Sequence, residues 1–221
     1  MEPTFLFADL SGFTALTEAM GDEPAADVVA QFCDAVRELL PGYDAQEVKS
    51  IGDAIMIRAT EPAKAVALGL ELVNNVGQQH GFPVIRVGMH TGPAVERAGD
   101  WFGAAVNLAA RVSDAASGGE VLLTAETRKV AGEIPGVELR EHGRQSLKNV
   151  AEPVQLFAAV QQGAETTAGL PIDPVCRMAV DPQHSAGRLV YEGVEHHFCS
   201  LKCAGLFAAA PERYDGAGAE R

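Results

Sequence analysis

The chain has 221 residues, of which 47% are hydrophobic and 21% charged, with a formal net charge of -13. That length suits one medium domain plus a small one, and the composition is that of a globular protein. The acidic balance argues against a protein that tracks nucleic-acid phosphates, although a few local cations or bound metals can still hold a nucleotide. The amino terminus, MEPTFLFADLSG, lacks a basic leader followed by an apolar run. No apolar stretch approaches membrane-spanning length, so a cytoplasmic location is the expectation.

In chain order, residues 4–9 are a short buried strand. Residues 24–40 place Val28, Val29, Phe32, Val36, Leu39 and Leu40 at helical spacing, with Asp22 as a cap and Pro24 near the first turn. Residues 43–49 and 54–59 form a hairpin around Gly52 and Asp53. Residues 62–79 make a second amphipathic helix through Val66, Leu70, Val73 and Val76. Residues 84–91 alternate as a strand, 102–115 look helical, and 120–124, 137–142 and 154–160 are extended. This order of strand, helix, hairpin, helix, strand predicts an α+β chain with a ferredoxin-like βαββαβ core and additions. Residues 161–170, QQGAETTAGL, are small and polar without periodicity and read as a linker.

The cysteines are unevenly placed. Cys33 stands alone beside Phe32 and reads as a small core residue, whereas Cys176, Cys199 and Cys203 crowd the carboxy-terminal end. An odd local count in a cytoplasmic chain points to a metal or redox site rather than a disulfide framework.

Two aspartates raise a question of chemistry. Asp9 ends the first strand, and Asp53 sits at the hairpin expected beside it. Neighbouring strands lie about 5 Å apart, so the two carboxylates can converge. Alone they would repel and raise a pKa. Hard divalent cations such as magnesium or manganese relieve that repulsion. Taken singly, each aspartate is better explained without a metal, Asp9 as the cap of a helix beginning near Ser11 and Asp53 as a turn residue. The stretch GDWFGAAVNLAARV then places Asp100, Asn107 and Arg111 in one segment. Asn107 and Arg111 are four apart and share a helix face, which makes either a clamp for anions and hydroxyls or an ordinary solvated face.

FADLSGFT, KSIGDAIM, RVGMHTG and GDWFGAAVNLAARV, in this order, resemble the catalytic domain of class III adenylate/guanylate cyclases across residues 3–160. The resemblance implies adenylate cyclase activity, converting ATP to 3′,5′-cyclic AMP and pyrophosphate. It assigns two Mg2+ or Mn2+ ions per site to Asp9 and Asp53, with the Leu10 backbone as an additional ligand. It gives Lys49 and Asp100 the reading of the base, and Asn107 and Arg111 the transition state. Arg86, which opens RVGMHTG, and Lys148, in SLKNVAEPV, fall on phosphate-binding positions. The family builds each site across a head-to-tail dimer, so a homodimer is implied. Asp9 and Asp53 would come from one protomer, and Lys49, Asp100, Asn107 and Arg111 from its partner. No nucleic acid or membrane partner is expected. His90 reads as strand packing.

DPVCRMAV, followed by YEGVEHHFCSLKCAGLFAAAPERY, resembles a YHS domain. Arg177 stands where that family commonly has glycine. The expected organisation is a cyclase domain over 1–160, a linker over 161–170, a YHS-like domain over 171–215 and a tail over 216–221. Three thiolates suit zinc, copper(I) or another soft metal. Cys199 and Cys203 would share a helical face, Cys176 would come from the preceding loop, and His184, His196 or His197 could supply a fourth ligand. Three reduced cysteines in a small apolar core remain the alternative, with Met178 and Ala208–Ala210 as packing. Two further readings of the whole chain stay open. One is a nucleotide-binding metal sensor without turnover. The other is a guanylate cyclase, which Lys49 and Asp100 disfavour.

Overall fold

In the computed structural model, residues 2–79, 81–163 and 170–214 are described. The first strand, β1 (Thr4–Leu10), is buried at every position except Asp9, as suits a strand with neighbours on both sides and helices on both faces. After Gly12 the chain enters α1 (Phe13–Met20), then α2 (Asp22–Leu39). The sequence pattern predicts only one helix here. Two form because Gly21, at φ 93°, breaks the run and serves as N-cap of α2, leaving Asp22 as that helix's first residue.

The hairpin follows as β2 (Ala45–Ile51) and β3 (Ala54–Ala59), then α3 (Pro62–Glu71) with a wider π turn over Leu72–Val76, and β4 (Ile85–Thr91). A second, unpredicted hairpin comes next, from β5 (Val95–Arg97) and β6 (Asp100–Phe102). Its turn residues Ala98 and Gly99 both have positive φ, 52° and 80°, as a tight two-residue hairpin turn requires. Asp100 therefore sits on a strand, and the next helix, α4 (Ala104–Ala115), begins two residues later than the pattern suggested. The domain closes with β7 (Val121–Thr124), the short α5 (Ala125–Ala131), β8 (Val137–Gln145) and β9 (Val154–Gln161).

The seven main strands form one sheet in the order β2-β3-β1-β4-β7-β9-β8. Its first four members, with β1 antiparallel to both β3 and β4, are the ferredoxin-like core expected from the sequence. The period of two along β1 divides the core. Leu6, Ala8 and Leu10 pack with α1, α2 and α3, while Phe5 and Phe7 pack with Ala105, Val106 and Ala109 of α4. Asp9 is in phase with Phe5 and Phe7, so it lies on the α4 side. His90 is buried, with Nδ1 2.8 Å from Thr124 Oγ1, as the strand-packing expectation requires. Cys33 is likewise buried in the core.

One glycine fixes how α4 lies on the sheet. A Cβ on Gly88 of β4 would stand 1.9 Å from the backbone N of Ser113 and 2.3 Å from its Cα. The obstacle is backbone, so no rotamer change can relieve it. Gly88→Ala should destabilise the fold by more than about 3 kcal/mol, read as a lowered urea midpoint at unchanged slope. An unchanged midpoint would contradict this packing.

The carboxy-terminal segment carries β10 (Gly187–Tyr191), β11 (Val194–Phe198) and α6 (Leu201–Ala209). It is not isolated from the sheet domain. Met178 bridges Pro83, and Gly81 N donates to Ala179 O while Ala179 N donates to Phe82 O, each at 2.8 Å. Val175, Cys176, Met178, Phe198, Cys203 and Phe207 are continuous with the core that contains Leu10 and Leu16. Met178 packs as expected, but Ala208 and Ala209 are exposed on α6 and do not. Residues 164–169 of the expected linker and the tail over 216–221 lie outside the described residues. Among the described residues, no helix is long and apolar enough to cross a membrane.

Candidate active site

Asp9 reaches its position because β1 ends there. Its register partners are Ala54 on β3 and Arg86 on β4. Arg86 donates from Nε and Nη2 to Asp9 Oδ2, at 2.7 and 2.5 Å. The Leu10 amide is 3.4 Å from the Asp53 carbonyl, which ties the hairpin turn to the end of β1. Burial pushes the Asp9 carboxyl up to about 6; Arg86 opposes the shift and the neighbouring Asp53 carboxylate adds to it. Two hard carboxylates, one of them unfavourable to ionise, make a donor set that fits Mg2+ or Mn2+. In this structure Arg86, the expected phosphate ligand, is held by Asp9.

Lys49 and Asp100 meet although 51 residues separate them, with Nζ 2.5 Å from Oδ2. A register irregularity in β2 between Glu47 and Lys49 helps aim the lysine. The Trp101 amide donates to Asp100 Oδ1 at 2.8 Å and fixes the carboxylate. The hydrogen bond from Lys49 holds Asp100 below the usual carboxylate range. Both side chains keep free surface, so the pair can meet a ligand.

Asn107 and Arg111 are on α4, one turn apart, as their spacing implied. Together with Lys148 they line a cavity of about 460 Å³. Lys148 arrives there because its neighbour Leu147 is buried with Val112 and Leu156 while Leu108 packs against that cluster. Arg111 Nη1 is 2.7 Å from Asp114 Oδ2, within its own helix. The chain thus presents two groups. Among the described residues, no hydrogen bond or ion pair joins Asp9, Asp53 and Arg86 to Lys49, Asp100, Asn107 or Arg111.

In the carboxy-terminal segment, the ligand atoms of Asp173, Cys176, Cys199 and Cys203 all lie within 4.8 Å of one another. Cys176 Sγ is 3.3 Å from Cys199 Sγ, which is 3.9 Å from Cys203 Sγ. Cys203 is on α6, but Cys199 precedes the helix, whose N-cap is Ser200, so the two do not share a helical face. Hydrogen bonds from the Cys176 and Cys199 thiols draw the Cys203 thiol down, and hydrogen bonding to Cys199 and Cys203 pushes the Cys176 thiol up. Three sulfurs and one oxygen suit zinc or a comparably soft ion.

The fourth member, Asp173, was missed from sequence, and the histidine candidates are corrected. His196 packs its ring 4.7 Å from that of Phe207, His184 pairs with Asp181, and His197 faces Glu195. Asp173 is buried because its carboxylate accepts from the amides of Val175 and Cys199, each at 2.9 Å. An aspartate before proline, two residues ahead of the amide it caps, is an Asx-turn signal that DPVC does carry.

A model of the adenylate and guanylate cyclase catalytic domain matches residues 2–159, and one of the YHS domain matches residues 172–217. The pH-sensitive adenylate cyclase MT1302 of Mycobacterium tuberculosis is 36% identical over 167 residues, covering 74% of this chain and 42% of that protein. Three further curated relatives are covered to 39%, so the chain spans about two-fifths of the length of these four. Adenylate cyclase from Trypanosoma brucei, solved in its monomeric state, superposes with a TM-score of 0.63 at 26% identity, covering 76% of this chain and 92% of that one. The adenylyl cyclase CyaB of P. aeruginosa gives 0.62 at 24% identity, covering 72% and 94%. The latter likeness is one of fold.

Proposed function

Because the chain belongs to the adenylate and guanylate cyclase catalytic-domain family, we propose that it converts ATP to 3′,5′-cyclic AMP and pyrophosphate. The observation that carries the choice of ATP is the Lys49–Asp100 pair, formed and partly exposed. Adenine offers an acceptor at N1 and a donor at N6. Lys49 donates to the first and Asp100 accepts from the second. Guanine presents the reverse pattern and would leave these groups unpaired.

Asp9 and Asp53, with the Leu10 carbonyl, would hold two Mg2+ or Mn2+. Those ions would supply the charge that eases ionisation of the ribose 3′-hydroxyl and neutralises the departing pyrophosphate. The reaction is intramolecular, so positioning contributes much of the rate. Asn107 orients the ribose. Arg111 stabilises charge at the α-phosphate. Arg86, once released from Asp9, and Lys148 hold the pyrophosphate.

The two groups supply complementary halves. One carries the cation ligands, and the other carries the base-reading, ribose and phosphate residues. A two-fold homodimer would bring the first from one protomer against the second from its partner and create two equivalent sites. The Asp173–Cys176–Cys199–Cys203 group would hold zinc or another soft ion in the YHS-like domain over 171–215.

The test is formation of cyclic nucleotide by the purified chain, with ATP and GTP in parallel and each with Mg2+ or Mn2+. Cyclic AMP from ATP, absent in Asp53→Ala, is expected. No cyclic product under any of these conditions would reject the enzyme in favour of a nucleotide-binding metal sensor.

A further inference from the structure

The carboxy-terminal module meets the sheet domain at the loop that follows Asp9. Val84 lies between them. Its carbonyl accepts from the Ser11 amide at 2.8 Å, and its own amide donates to the Arg177 carbonyl at 3.2 Å. One residue on, Gly12 turns the chain into α1 with φ 80°. A Cβ there would stand 2.5 Å from Arg177 Cγ and 3.2 Å from Arg177 Cβ, so the aliphatic stem of Arg177 lies directly on the Gly12 backbone.

Arg177 makes this contact from an unfavourable conformation. Its φ is 65°, a left-handed region where side chains other than glycine's are penalised. The neighbouring geometry holds it there. The Arg177 amide donates to the Asp173 carbonyl at 2.9 Å, and the Asp173 amide donates to the Met178 carbonyl at 2.8 Å. The turn that carries Asp173 and Cys176 is therefore the same turn that presses Arg177 onto Gly12.

We propose that Arg177 is a positioning residue for the Asp9–Gly12 loop, so that the carboxy-terminal module braces the divalent-ion site from the face opposite α4. This rests on the reading of Asp9 and Asp53 as ligands of the cyclase ions. The contact is made by Cβ and Cγ rather than by the guanidinium. An unbranched uncharged side chain should therefore replace it, and glycine should not. Glycine is free at φ 65°, so Arg177→Gly removes the brace without straining the turn.

The experiment compares the full chain with Arg177→Gly and Arg177→Met. Mn2+ binding is read from the resonance of the free ion in the presence of 3′-deoxy-ATP, which lacks the attacking hydroxyl; Asp53→Ala sets the background. Amide exchange of Ser11–Phe13 is followed on the same proteins. Arg177→Gly should weaken Mn2+ binding about tenfold and speed exchange of the loop, the size expected for losing support behind a metal ligand. Arg177→Met should restore both. Unchanged binding or unchanged exchange in Arg177→Gly overturns the proposal, as does Arg177→Met behaving like the glycine variant. None of these readouts needs turnover. A protein that shows this pattern yet makes no cyclic nucleotide would reject the cyclase reading and leave the brace standing.

Discussion

Mixing equal amounts of Asp53→Ala and Arg111→Ala proteins is expected to restore cyclic AMP formation, although each alone should lose activity on the order of 10³-fold. Asp53 belongs to the group proposed above to hold the cations, and Arg111 lines the cavity with Asn107 and Lys148. Within one chain these groups share no hydrogen bond or ion pair among the described residues. If a site takes one group from each protomer, a mixed dimer contains one doubly damaged site and one intact site. Half of the dimers are mixed at random exchange, so the mixture should recover about a quarter of the wild-type rate. The measurement is specific activity against mixing ratio, with a maximum at equal amounts. A pair drawn from the same group, Lys49→Ala with Arg111→Ala, should show no recovery. A flat response for Asp53→Ala with Arg111→Ala would mean that one chain builds its whole site.

The second large effect concerns base choice. Lys49→Glu combined with Asp100→Cys should lower the ratio of kcat/KM for ATP over GTP by about 10²-fold or more, because a site built to pair polar groups rejects a base that leaves them unpaired. The two residues are hydrogen-bonded to one another at 2.5 Å. Changing only one strands its partner, so single variants should lose rate with either nucleotide. The double variant replaces the whole pair and should retain some turnover with GTP. An unchanged preference for ATP would show that Lys49 and Asp100 do not read the base.

How much of this was legible beforehand varies with the residue. Asp9 and Asp53 could be placed because one stands at the end of a strand and the other in the turn of a hairpin, and antiparallel pairing of β1 with β3 sets the two side by side. Asn107 and Arg111 could be placed because a four-residue spacing fixes a shared helix face. The β5–β6 hairpin was hidden because strands of three residues carry no periodicity, and the two turn positions gave a single glycine. α1 was hidden because its eight residues, Phe13–Met20, make little more than two turns before Gly21, too short a stretch for helical spacing to stand out.

Periodicity and motifs in fixed order were enough to give the ferredoxin-like core, the family and the residue types of the candidate site. The folded chain was needed to show that Arg86 rests on Asp9, that Lys148 joins Asn107 and Arg111, that Asp173 rather than a histidine stands with the three cysteines, and that the carboxy-terminal module packs against the sheet domain. These contacts join residues far apart in the chain, and their partners are chosen by burial and by the pairing of buried polar groups, which leave no periodic trace along a single segment.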